Sequence, residues 1–391
     1  MKYKQNLVYI HKNIIGYLLA NLFMFGIAYF WLYRYQNFQF LKGDIMNIVE
    51  IKKRALEIEQ SGKLPQDILE IIYEQRLFKL FIAKELGGKD LNLLEGIKVF
   101  QRMSAIDGNF GWLVTIGTGG NMFVPTFKQE IAEEIFSPSD AVIAGSGYPT
   151  GTAVKMDSGY SVTGQWKYCS GADYATTFTM NCFIKEDGML TDKIISCAVS
   201  REQVEIINDW QAMGLKATAS HTIRVQDIWI PFDQTFQLGI CKNNYDNAVY
   251  RFPFGTFAEA SFLSVCLGIT ENFLEEAATV IERKNKESHR TERIGALQFL
   301  YMQQLKRFRQ IEEHFYAMLT IYWQKHKQGI ELTEQEYQQF TEMSKESAAD
   351  CVDIANSIIR SLGMDAIIET ATINRIWRNL CTAAQHGFLT P

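Results

Sequence analysis

The chain has 391 residues, 47% hydrophobic and 21% charged, with a formal net charge of −5. That is enough apolar material for a large core, and it implies two or three structural units. Acidic and basic residues are interleaved with no basic stripe or tail, which argues against a nucleic-acid partner.

At the N-terminus, Ile14 to Tyr33 is an uncharged stretch of roughly bilayer-spanning length. Lys2, Lys4 and Lys12 precede it and Arg34 and Lys42 follow, a bias that would leave the N-terminus in the cytoplasm and the large domain outside. Seven cysteines in no CxxC spacing read as free thiols of a reducing compartment, which suits a cytoplasmic protein and not that orientation. A start at Met46, where an amphipathic helix begins, is therefore the favoured expectation, and membrane contact is expected only if 14–33 is a real anchor. Residues 1–45 form this first segment.

Residues 46–138 read as helices, with apolar side chains at three- and four-residue spacing in Ile68, Ile71 and Ile72 and in Ile97, Phe100 and Met103. Gly87-Gly88 and the run Gly117 to Gly120 are expected to break two of them. Over 139–240 the period changes to two: Tyr160, Val162, Trp166 and Tyr168 would share one face of a strand. Phe178, Met180, Cys182 and Ile184 repeat the pattern, and Pro231 ends the last strand. These are the marks of a domain of short antiparallel strands.

From 241 to 391 the helical period returns. Stripes run through Phe262, Val265, Ile269, Phe273, Ala277 and Val280, through Phe308, Ile311, Phe315, Leu319 and Tyr322, and through Ala348, Cys351, Ala355, Ile358 and Leu362. Thr333 and Glu336 form a capping-box pair, and a shorter helix from Ile373 completes a four-helix bundle. The fold class is α+β: a helical domain, an antiparallel β-domain and a helical bundle. Six histidines in no HxxxH or HxxE spacing predict no dedicated metal site.

Three motifs carry a resemblance. GYSVTGQWKYCSGADYA at 159–175, WQAMGLKATASHTIRVQDIWIP at 210–231 and INRIWRNLCTAAQHG at 373–387 resemble, in order and spacing, segments of the acyl-CoA dehydrogenase superfamily. The resemblance implies a flavin, FAD or FMN, with Tyr168 beside its ring and Ser170 bonding near N5 and O4. Gly145 and Ser146 would line it through backbone groups. Arg283 and Gln298 fill parts of the pattern that holds the FAD adenine half across a subunit boundary, but the Phe-Gly of that pattern is missing. A homotetramer is implied as well.

Within the superfamily, many true dehydrogenases carry a catalytic Glu just after the last helix, and others place it on the early bundle helix. Here Arg378 is followed by NLCTAAQHGFLTP, which has no acidic residue, and His386 stands near where that Glu would be. This resembles the hydroxylases of the superfamily, which take reduced flavin from a separate reductase and use O2 to oxygenate an aromatic or similar small substrate. His386 is then the expected catalytic residue, chosen for a pKa near neutrality. Ser220 and His221 resemble a Ser-His pair of the same branch, at the edge of the site. Glu259 is the base of the alternative reading, an acyl-CoA dehydrogenase; a non-catalytic member that keeps only the fold is a third.

Overall fold

The computed structural model describes residues 45–391, except 187 and 288–290. The apolar stretch at 14–33 lies outside the described residues. Within them no helix is long and apolar enough to cross a membrane.

Five helices come first: α1 (Ile45–Ser61), α2 (Gln66–Glu74), α3 (Leu93–Ile106), α4 (Gly108–Gly119) and α5 (Gln129–Phe136). Asn92 and Glu95 form a capping box that starts α3, satisfying two backbone N–H groups the helix leaves over. Asp107 ends α3 and caps α4, its Oδ1 accepting from the backbone N–H groups of Asn109 and Phe110. Helix α4, GNFGWLVTIGTG, has no polar face and is buried nearly all round, the pattern of a helix at the centre of a core. The glycines at its end do not break it at Gly117; the helix runs to Gly119 and tightens into a 3-10 turn over Gly120–Thr126.

The middle of the chain is a seven-stranded sheet: β1 (Ile143–Lys155), β2 (Gly159–Cys169), β3 (Thr177–Glu186), β4 (Met189–Ser200), β5 (Glu205–Ile207), β6 (His221–Pro231) and β7 (Thr235–Phe236). Its order is β5-β6-β2-β1-β3-β4-β7. The pairing is antiparallel except between β1 and β3, which run parallel because β2 returns on the far side of β1. Trp166, fully buried, fills the sheet's own core with Val162, Phe178, Met180, Cys182 and Ile223, and its Nε1 donates to the carbonyl of Asn181.

The alternation expected along β2 fails at its end. Register shifts follow Val162 and Trp166, and Tyr168 takes a positive φ of 65°. Cys169 therefore enters the core and Tyr168 is left outside, 64% exposed.

The bundle consists of α6 (Phe254–Glu287), α7 (Thr291–Lys327), α8 (Glu334–Leu362) and α9 (Thr372–Ala383). The Thr333–Glu336 capping box starts α8. All three apolar stripes are buried. They merge with the N-terminal helices into one continuous core. Two glycines set the spacing of the central layer. A Cβ on Gly268 of α6 would stand 2.1 Å from the carbonyl oxygen of Gln101 on α3, and one on Gly111 of α4 would stand 2.2 Å from Ser104 Oγ. Helix α3 is thus gripped from both sides, and Trp112 of α4 is brought to Phe262 of α6, ring centroids 5.5 Å apart.

Candidate active site

Trp112 is the residue on which the site converges. Its indole is 7% exposed, and a buried indole N–H needs an acceptor. It finds Ser170 Oγ, 2.9 Å away, in the turn that follows β2. On its other side the ring lies 5.8 Å from the imidazole of His386. Sheet, central helix and C-terminal turn therefore meet at one side chain.

Ser170 is 5% exposed and opens a chain of hydroxyls. Its Oγ is 2.7 Å from Ser220 Oγ, which is 2.7 Å from Thr218 Oγ1, whose hydroxyl donates to the carbonyl of Leu215 at 2.9 Å. The loop that carries Thr218 and Ser220 holds two non-glycine residues in the left-handed region, Leu215 (φ 51°) and Ala219 (φ 45°). Such residues persist only where their surroundings fix them. Here Asn379 Oδ1 of α9 accepts from Leu215 N–H at 2.7 Å, and Asn109 Oδ1 of α4 accepts from Ala217 N–H at 2.9 Å.

His386 lies in the turn that follows α9, half-buried. Its ring stacks on Phe262 with centroids 3.6 Å apart and is flanked by Phe388 at 5.8 Å. The turn also reaches the sheet: a Cβ on Gly387 would stand 2.8 Å from the hydroxyl oxygen of Tyr148, in the bulge of β1. Desolvation among these rings pushes the imidazole pKa down to about 4. The near-neutral pKa expected of this residue is therefore corrected. Nδ1 faces the N–H of Phe388 at 3.4 Å, so an acceptor role there puts the ring proton on Nε2.

The other expected residues divide into two groups. Tyr168, exposed and edge-on to Trp210 at 6.4 Å, lies two residues before Ser170, and its carbonyl accepts from Ser170 N–H at 2.9 Å. His221 opens β6 beside Ser220, and its Nδ1 accepts from Trp210 N–H at 3.2 Å. Gly145 and Ser146 lie on β1 just before its bulge, paired with Thr179 and Met180. Tyr168 and His221 are thus close in the chain to Ser170 and Ser220, while Gly145 and Ser146 lie two strands away from β6 in the sheet order.

Arg283, Gln298 and Glu259 do not join the Trp112 node. Arg283 is ion-paired to Asp365 at 3.6 Å, about 30 Å along α6 from Phe262. Gln298 is buried near the start of α7, at the same end of the bundle. Glu259 is one turn before Phe262, but its carboxylate accepts from Thr341 of α8 at 2.6 Å, and burial raises its pKa above the usual carboxylate range.

Arg378, the Arg that precedes the terminal turn, is structural. It makes a buried two-point pair with Glu59 of α1, one contact 3.0 Å, and also donates to the carbonyls of Met213 and Glu369.

Trp112, Thr218 and Phe388 were not legible as site residues, and Phe262 was legible only as part of a core stripe. Trp112 sits in a uniformly apolar helix, where its one signal was an indole N–H that had to find an acceptor.

Known proteins resemble this chain in sequence and in fold. Residues 48–129 match the family model of the acyl-CoA dehydrogenase N-terminal domain, and residues 261–391 that of the acyl-CoA dehydrogenase C-terminal domain. A pigment production hydroxylase of Rhodococcus sp. (strain ATCC 21145) is 26% identical over 352 residues, 86% of this chain and 89% of the relative. The oxygenase subunit of a flavin-dependent monooxygenase of Rhodococcus jostii (strain RHA1) is 25% identical over 227 residues, 56% of this chain and 59% of that subunit. Among solved structures, the 3-HSA hydroxylase from Rhodococcus sp. RHA1 superposes with a TM-score of 0.82 at 19% identity, covering 88% of this chain and 91% of that one.

Proposed function

The chain belongs to the acyl-CoA dehydrogenase superfamily, and from that premise we propose that it is a flavin-dependent monooxygenase acting on an aromatic or similar small molecule. Reduced flavin, FAD or FMN, arrives from a separate reductase. The working assembly is a homotetramer in the cytoplasm. The observation that carries the reading is the Trp112 bridge between a buried serine hydroxyl and a stacked histidine.

The residues fit a flavin. Tyr168 offers an exposed aromatic face at the end of β2, two residues from a buried hydroxyl. Nothing stands within 4 Å of a Cβ built on Gly147, in the bulge of β1 opposite. A flavin when bound supplies the two electrons that activate O2.

Everything else falls to the protein. Phe262 is the face on which the imidazole itself stacks, and Phe388, half-buried beside it, provides an aromatic wall for a substrate. Held neutral across the physiological range with its proton on Nε2, the imidazole donates a hydrogen bond to the oxygen of a bound substrate. Trp112 orients Ser170, and the apolar rings exclude water from the reacting atoms.

The test supplies the purified protein with a flavin reductase, NADH and a panel of phenols. Oxygen-dependent hydroxylation of at least one phenol is expected. Anaerobic bleaching of bound flavin by an acyl-CoA, with no phenol oxygenated, would establish the dehydrogenase reading instead.

A further inference from the structure

The hydroxyl chain has a fixed direction. A carbonyl oxygen cannot donate, so the 2.9 Å bond to Leu215 O consumes the single hydroxyl proton of Thr218. Thr218 Oγ1 must then accept from Ser220, and Ser220 Oγ must accept from Ser170. At the other end the indole of Trp112 is a donor only, so Ser170 Oγ accepts from it. Ser170 has thus spent its proton inward and has one lone pair left. Toward any ligand it is an acceptor.

The two redox forms of a flavin differ at N5 in this respect. The reduced ring carries an N5–H, a donor; the oxidised ring offers a bare lone pair. We propose that Thr218 and Ser220 are positioning residues: they fix the Ser170 hydroxyl as an acceptor and so bias the site toward reduced flavin. This rests on the proposed function, in which Ser170 faces N5. Neither residue needs to touch the flavin, and both are buried, at 0% and 4% exposure. Two acceptors facing each other across Ser170 and oxidised N5 leave one hydrogen bond unmade.

The experiment compares dissociation constants of oxidised and anaerobically reduced FMN, and likewise of FAD, in the wild type, Thr218→Val, Ser220→Ala and Thr218→Ser. Valine removes the link to the Leu215 carbonyl and alanine cuts the chain; either frees the Ser170 proton to turn toward the ligand. The preference for the reduced form should fall about tenfold in both, the worth of one hydrogen bond. Thr218→Ser, which keeps the hydroxyl, should hold the wild-type ratio within about threefold. A structural role would weaken both constants together and leave the ratio unchanged, which overturns the proposal; so would a serine variant that behaves like the valine one. A wild type that binds neither form would instead remove the monooxygenase reading and this inference with it.

Discussion

His386 meets Phe262 at 3.6 Å, close enough that charging the imidazole would bury an ion against an apolar face. Its pKa is about 4 for that reason, below the 6.5 of an exposed histidine. A folded-state value below the unfolded one means the packing contributes fully above pH 6.5 and weakens as pH falls toward 4. The acid limb of the rate profile should therefore have its midpoint nearer 4 than 6.5, measured as kcat against pH with the reductase in excess. A midpoint at 6.5 would show that the imidazole works unstacked, out in water. At this scale the sequence was informative about chemistry and silent about surroundings. A histidine where a carboxylate was missing could be read from INRIWRNLCTAAQHG. The aromatic faces around it could not, because Trp112 and Phe262 lie in apolar helices where nothing separates a core ring from a wall of the site.

Among the elements, α9 and the loop before β6 show how a fold aims a site. Asn379 pins Leu215, Arg378 holds the Met213 carbonyl, and both are anchored by the Arg378–Glu59 pair, with side chains 9% and 5% exposed. Arg378→Met would strand a buried carboxylate at Glu59, and a loss of about 3–5 kcal/mol is expected in denaturant unfolding. Arg378→Met combined with Glu59→Met should recover most of it. A single variant as stable as the parent would mean that the pair does not hold α9 to α1. The bundle was legible because helix period and core face coincide, and the stripes at Phe308, Ala348 and Phe262 are all buried. The end of β2 was not. Two register shifts and a left-handed Tyr168 overrule the alternation there, and neither bulge has a residue type that announces it. The parallel pairing of β1 with β3 was hidden for a different reason: strand period says which face is buried and nothing about which neighbour a strand takes.

Across the whole molecule the order helices, sheet, bundle brings residues 112, 170, 220 and 386 together from four separate segments. That order was readable in the chain because the hydrophobic period changes twice. Which pieces would touch depended on three motifs in the right sequence and not on any one of them. The same architecture ties the Glu259 carboxylate to the Thr341 hydroxyl of α8. Glu259→Gln should therefore leave oxygenation within about twofold of the parent, where loss of a general base would cost on the order of a hundredfold or more. A collapse of turnover in that variant would return the carboxylate to the mechanism.

The most direct measurement follows 18O2 into product during a single turnover with pre-reduced flavin, in the parent and in His386→Ala. Label in the hydroxylated product is expected from the parent. In the variant its rate should fall by about a hundredfold while reduced flavin is still bound, with oxygen leaving as hydrogen peroxide instead. Undiminished labelling in His386→Ala would contradict the account, because the imidazole on Phe262 would then have no part in the chemistry.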